Sequence, residues 1–110
     1  MSPDTVAERR FERLAQRFLS DPAVSRGTGF GSNPGLRVRG KIFAMLRNGD
    51  LVVKLPKEEV DELVASGAGV RFDAGKGRPM KEWVLVSSRA SRRWATLAQR
   101  ALTFVGSGSK

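Results

Sequence analysis

The chemistry open to this sequence is set by which reactive side chains it contains. There are 20 Lys and Arg against 11 Asp and Glu, giving a net charge of +9, and there is no Cys, His or Tyr. Disulfides, thiolate nucleophiles and cysteine-based metal sites are therefore excluded. The commonest general base and metal ligand is missing as well. We therefore expect no enzyme, no cofactor and no metal, but a protein whose positive charge attracts polyanions.

A glycine-rich stretch, VRFDAGKGRPMKEWVLV at residues 70–86, is the one candidate for a nucleotide-phosphate loop. A Walker loop has four residues between its first glycine and its Gly-Lys pair, followed by Ser or Thr. Here Gly69 and Gly75 enclose five residues, and Gly77 replaces the hydroxyl residue. Since Pro79 and a strand-like run follow, no helix begins there to face a phosphate. The stretch is better explained as a turn between two strands.

The elements that must position any site follow from periodicity and turn residues. Apolar residues at helical spacing predict amphipathic helices at both ends of the chain, and Pro56 and Gly67 delimit a shorter one between them. The segment GTGFGSNPG at 27–35 is expected to be a loop or an irregular edge strand. The predicted order is helix 3–20, strands 36–37, 41–47 and up to Leu55, helix 56–67, strands 70–73 and 82–87, and helix 89–105.

The Asn48-Gly49 pair predicts a two-residue hairpin turn that sets which residues face the core. It pairs Leu46 with Leu51 and Ala44 with Val53. The predicted core side consists of Leu46, Leu51, Ala44, Val53, Ile42 and Leu55, and the other side carries Phe43, Met45, Val52 and Lys54.

An earlier turn is expected at Arg39-Gly40, and two geometries are open for it. We favour a three-residue loop with Gly40 in the left-handed region, which keeps Leu36 beside Ile42 and directs Arg37 outward with Lys41. A two-residue loop would instead turn Arg37 inward.

Four blocks, GKIFAML, LVVKLP, RFDAGKGRPMKEWV and WATLAQRALTFV, resemble the TfoX N-terminal domain family in their order and spacing. The resemblance covers roughly two-thirds of the chain, from about Phe30 to Val105. It implies an α+β, two-layer α/β sandwich with a secretion-chaperone-like antiparallel sheet, in the order helix–three strands–helix–two strands–helix. It also implies a single-domain relative of a competence regulator with a loose link to DNA, and it carries no catalytic residues. We expect one domain over 1–110, with its core at about 3–105 and a frayed tail at 106–110.

Two basic surfaces are the candidate sites for nucleic acid. On the sheet, cations surround an aromatic ring that could stack on a base. On the last helix, arginines without acidic neighbours suit phosphate contacts. A solvated, charged surface would have the same composition, so both surfaces are open to that simpler explanation. The residues are Arg37, Lys41, Phe43, Arg47 and Lys54 on the sheet, and Arg89, Arg92, Arg93 and Arg100 on the helix.

The predicted function is a small regulatory or adaptor protein that binds nucleic acid weakly. The alternative is a protein-interaction or homodimerisation module using the apolar residues Phe43, Met45 and Val52 on the outer sheet face. No run of eighteen apolar residues and no secretory leader is present, so we expect a cytoplasmic, bacterial protein without membrane partners.

Overall fold

The computed structural model describes residues 3–28, 34–47, 49–72 and 82–107. The three α-helices in this part of the chain are α1 (Pro3–Phe18), α2 (Lys57–Ser66) and α3 (Trp94–Gly106). A 3₁₀ helix, Ser88–Arg93, leads directly into α3. The strands are β1 (Val24–Thr28), β2 (Pro34–Val38), β3 (Lys41–Arg47), β4 (Asp50–Lys54), β5 (Val70–Arg71) and β6 (Trp83–Val86).

All six strands form one antiparallel sheet in the order β1-β2-β3-β4-β6-β5. The helices lie on one face of it, where Phe11, Val60 and Leu97 belong to the same buried cluster as Leu51 and the other inward strand residues. This arrangement confirms the predicted α+β, two-layer fold. The predicted number of strands was too low by one. Val24–Thr28 forms a strand that pairs along the whole of β2, whereas the prediction began the sheet at Leu36 and treated 27–35 as a loop or an irregular edge strand.

The β3–β4 hairpin has the predicted register. Leu46 pairs with Leu51 and Ala44 with Val53, and Gly49 adopts a φ of 86°, which a primed turn requires. Asn48, the other turn residue, lies outside the described residues. The Asn-Gly pair and the alternation on both sides of it were enough to set this pairing.

The β2–β3 hairpin differs from the favoured prediction because β3 contains a bulge. The turn has two residues, Arg39 and Gly40, both at positive φ, so Val38 pairs with Lys41. The register then shifts so that Arg37 pairs with Ile42 but Leu36 pairs with Ala44, which leaves Phe43 as an extra residue. Arg37 therefore points outward, as predicted, although the turn is of the two-residue type.

The bulge reverses the sides predicted for two side chains. Phe43 and its neighbour Ala44 both enter the helix-side core, and the Phe43 ring is fully buried. Ile42 instead packs against the small apolar cluster on the opposite face. The expectation that Phe43 is an exposed aromatic is therefore wrong, because strict alternation does not hold across a bulge.

The last predicted helix is divided into a 3₁₀ segment and an α-helix. Ala90 has non-helical angles (φ −104°, ψ 27°) inside Ser88–Arg93. Ser87 caps this segment by accepting a hydrogen bond from the Arg89 backbone N–H, and the Trp94 indole N–H donates to the Ser87 carbonyl at 3.2 Å. These contacts hold the 3₁₀ segment at a fixed position before α3 begins.

Replacing Phe43 by Ala tests the bulge. With its ring inside the main core, we expect Phe43→Ala to lower the free energy of unfolding by about 3–5 kcal/mol, measured by urea denaturation. Val70→Ala is the control, because Val70 is 63% exposed on β5 and should change the stability by no more than about 0.5 kcal/mol. Equal, small effects for both variants would show that Phe43 lies on the outer face after all.

Candidate anion-binding site

A furrow between α1 and α3 brings four arginines together. A cavity of about 240 Å³ is lined by Arg10, Arg13, Leu14, Arg17, Ser91, Arg92, Trp94 and Ala95. A second cavity of about 520 Å³ adjoins it and is lined by Arg17, Phe18, Ala95, Thr96, Gln99 and Arg100. Arg17 and Ala95 line both cavities, which therefore form one surface feature. We call it the arginine furrow, and by its four arginines we mean those of the first cavity; a fifth, Arg100 in the second cavity, is paired with Glu59 at 3.3 Å.

The amphipathic pattern of α1 explains why three of the arginines share a wall of the furrow. Burial of Phe11, Leu14 and Phe18 against the sheet fixes the rotation of the helix about its axis. Arg10 and Arg17 are separated by seven residues, two helical turns, so they project from nearly the same side about 10 Å apart along the axis. Arg13 lies between them and flanks the same side. On the other wall, Arg92 stands in the 3₁₀ segment just before α3.

No carboxylate balances this part of the surface. The first cavity has no Asp or Glu among its lining residues. Across the described ranges, the ion pairs are Arg26–Glu12, Lys54–Glu82, Lys57–Asp61, Arg71–Asp61 and Arg100–Glu59. None of these pairs includes the four arginines of the first cavity. The charge of these four arginines is therefore not balanced by an ion pair within the described structure, whereas Arg100 at the other end of the furrow is paired with Glu59.

Four convergent guanidinium groups are suited to binding phosphate. Each is planar and can donate two parallel N–H bonds to a phosphate or carboxylate. Ser91, Thr96 and Gln99 are the neutral polar side chains of the two cavities and can add hydrogen bonds to a bound anion. The site is therefore equipped to bind an anion.

The outer sheet face carries three of the predicted cations, but their heads lie over apolar surface. The Arg47 guanidinium sits 5.0 Å from the centre of the Phe72 ring, and the Lys54 ammonium 6.0 Å from that of Trp83. The Arg37 side chain passes close to Gly27, where an added Cβ would clash with its Nε and Cδ, and its Nε is buried without a hydrogen-bond partner among the described residues. Lys41 is exposed but pairs with the inward-facing Val38, so it does not share this face.

The apolar residues proposed as an alternative interaction face are not exposed. Met45 and Val52 do lie on the outer face, as predicted, but Phe72 and Trp83 cover them completely. Phe43 is buried on the other side of the sheet. Sequence alternation placed Met45 and Val52 correctly but could not show that they are packed against Phe72, just after β5, and Trp83 of β6.

The basic patch predicted on the last helix is divided among several surfaces. Arg92 belongs to the arginine furrow. Its neighbour Arg93 lines a separate cavity beside Glu59 and Glu62 of α2. Arg100 pairs with Glu59 at 3.3 Å, and Arg89 is exposed at the start of the 3₁₀ segment. Successive residues of a helix differ by about 100° in direction, so adjacent arginines do not share one surface.

The arginines of α1 were missed because charge was counted along the chain. Residues 1–21 contain as many acidic residues as arginines and are neutral as a segment. In the structure Glu12 leaves the furrow side and binds Arg26 of β1 through two hydrogen bonds, of 3.0 and 2.5 Å. Plotting the charges around the helix axis would have separated Arg10, Arg13 and Arg17 from this carboxylate.

Three further findings limit the other candidate sites. The glycine-rich loop examined for phosphate binding, residues 73–81, lies outside the described residues, as do residues 108–110 of the predicted frayed tail. In the part of the chain that is described, no group of Asp and Glu is arranged to hold a metal ion. Among the same residues, no helix is long and apolar enough to span a membrane.

The family of the chain follows from a sequence comparison. The YjbR family profile matches residues 19–102. This chain belongs to the YjbR family. The resemblance to the TfoX N-terminal domain was therefore wrong: the blocks GKIFAML, LVVKLP and WATLAQRALTFV fall on strands and a helix, and such apolar patterns indicate a fold without separating one family from another. No curated protein matches the sequence significantly.

The matched segment of this YjbR-family chain begins directly after α1. Three of the four furrow arginines, Arg10, Arg13 and Arg17, therefore lie outside it, and only Arg92 lies inside. The family assignment accordingly says nothing about the furrow, whose argument depends on this chain's own residues.

The Glu12–Arg26 pair should make stability depend on pH, because it ties α1 to β1. Hydrogen bonds from Arg26 and then Gln16 lower the pKa of Glu12 from its ordinary value of 4.5. A carboxyl group whose pKa is lower in the folded than in the unfolded protein stabilises the fold at pH values above its unfolded-state pKa. That stabilisation is lost as the pH falls through the folded-state pKa. We expect Glu12→Gln to lower the melting temperature at pH 7, and the difference from the parent protein to shrink below about pH 4.5 and then vanish.

Glu62→Gln is the matched control for this experiment, since Glu62 is exposed on α2 and makes no ion pair among the described residues. It should leave the melting temperature at pH 7 nearly unchanged. A Glu12→Gln effect that persisted undiminished at pH 3 would show that lost packing, not the ion pair, was responsible.

Proposed function

We propose that this protein is a small, non-enzymatic regulatory or adaptor module of the cytoplasm that binds nucleic acid through its phosphates. The arginine furrow carries the proposal: four guanidinium groups from two separate elements converge on one recess that no carboxylate lines. The net charge of +9 adds a long-range attraction for any polyanion. This role requires no catalytic residue, metal or cofactor.

Phosphate contacts of this kind predict weak affinity, little sequence preference and a strong dependence on salt. Each phosphate neutralised on B-DNA contributes about −0.9 to the slope of log K against log salt concentration. Four arginines bound to four phosphates would therefore give a slope of about −3 to −4. Base-edge contacts, which would confer sequence specificity, are not needed for such binding.

The sheet residues Arg37, Lys41, Arg47 and Lys54 remain a secondary prediction. Arg47 and Lys54 are half-buried against aromatic rings, and Lys54 also lies 3.9 Å from Glu82. Moving either cation onto a phosphate would give up those contacts. We therefore expect the sheet to contribute less to affinity than the furrow does.

The alternative function, dimerisation through Phe43, Met45 and Val52, needs these side chains to be exposed, and they are not. All three side chains are fully buried within the single chain. An interface using them would require the Phe72 and Trp83 side chains to move off the outer face first. We do not propose it.

Removing two furrow charges tests the proposal. We expect Arg13→Gln combined with Arg17→Gln to reduce the salt slope by about 2 and to weaken binding of a short oligonucleotide at low salt. The measurement is fluorescence anisotropy at several salt concentrations. Both arginines are exposed, so the variant should keep the parent's melting temperature.

The control removes the same two charges from elsewhere. Arg39→Asn replaces an exposed residue at positive φ by one that tolerates that conformation, and Lys57→Gln leaves Asp61 paired with Arg71. This second double variant should bind nearly as the parent does. If both double variants weakened binding equally, net charge alone would explain the affinity and the furrow would have no special part in it.

Single substitutions of the neighbouring residues Arg92 and Arg93 also test whether the furrow binds the nucleic acid. Arg92→Gln removes a furrow cation, whereas Arg93→Gln removes one that lies beside Glu59 and Glu62. We expect the slope to fall by about 1 for Arg92→Gln and to change little for Arg93→Gln. The opposite order would locate the binding surface on the α2 side of α3.

A further inference from the structure

We infer that the arginine furrow accepts the backbone of a single nucleic-acid strand in preference to a duplex. This inference rests on the proposed function and adds the class of ligand. It is drawn from the shape of the furrow and from the neutral residues at one end of it.

The cations stand on both walls of a recess instead of on a convex ridge. Arg10, Arg13 and Arg17 come from α1, and Arg92 comes from the segment that leads into α3. Ala95, half-buried between the walls, lines both cavities, and its small side chain leaves the space between them open. A ligand must enter this space to contact both walls at once.

A duplex is poorly shaped to do so. The major groove of B-DNA is about 12 Å wide and admits one α-helix, whereas a helix with its side chains is about 10–12 Å across, so two helices side by side are wider than the groove. α1 and α3 therefore cannot enter it side by side. A duplex resting on the helices would meet the rim of the furrow, while a flexible single strand can lie along its length between the two arginine walls.

The larger cavity offers contacts that only an unpaired nucleotide can use. Besides Arg17 and the Glu59-paired Arg100, it is lined by the neutral polar side chains of Thr96 and Gln99 and by the buried Phe18. Hydroxyl and amide groups can hydrogen-bond to the sugar or to the pairing edge of a base, and that edge is occupied in a duplex. At about 520 Å³ the cavity is within the usual size range of small-molecule sites.

Filling the recess without changing its charge tests the inference. The probes are a fluorescent 16-nucleotide single strand and the duplex of the same sequence, titrated at one salt concentration. For the parent protein we expect the single strand to bind at least about tenfold more tightly. Ala95→Phe should remove this preference by weakening single-strand binding about tenfold, while duplex binding at the rim stays the same.

Ala65→Phe, the same substitution at an exposed position of α2, is the control and should leave both affinities unchanged. Should Ala95→Phe fail to fold, Gln99→Trp obstructs the same cavity from an exposed position and is expected to act alike. Equal parent affinities for the two probes, or equal losses on both in the filled variant, would overturn the inference while leaving the proposed function intact. Binding of neither probe, even at low salt, would overturn the proposed function itself.

Discussion

The contact between Phe18 and Phe43 is the constraint on which the site depends. Their rings meet edge to face, with centroids 6.1 Å apart and planes at 83°, a favourable geometry for two aromatic side chains. Phe18 is the last residue of α1, and Phe43 is the extra residue of the β3 bulge. Through this contact the sheet holds the helix that supplies three of the four furrow arginines. An irregularity in one strand thus helps to fix the position of a charged surface on the opposite side of the helix.

The ion pairs of the described residues leave the four arginines of the smaller furrow cavity without an acidic partner. Glu12 is directed toward β1 by Arg26, Asp61 is shared by Lys57 and Arg71, and Glu59 faces Arg100. These partners are largely exposed, so each pair adds little to stability. Their more important effect is on position. These paired carboxylates lie on α2 and on the β1 side of α1, so negative charge is kept away from the four arginines.

The predictable parts of the fold were those decided by local chemistry. The Asn48-Gly49 turn, the Gly67 stop of α2 at φ 83° and the apolar stripe of α1 each follow from a few neighbouring residues, and the structure agrees with them. The bulge at Phe43 could not be foreseen in this way, because its benefit comes from Phe18, which is 25 positions earlier in the chain. For the same reason the furrow was only partly foreseen: Arg92 was chosen, but its convergence with α1 is a tertiary contact.

All the cations that line the smaller cavity of the furrow are arginines, and this limits how the cell could regulate the site. Acetylation, which cancels the charge of lysine, does not act on guanidinium groups. The chain also lacks histidine, the side chain that usually senses physiological changes of pH. Control acting on these cations would therefore come from outside the chain, through ionic strength and through rival polyanions that compete for the same recess.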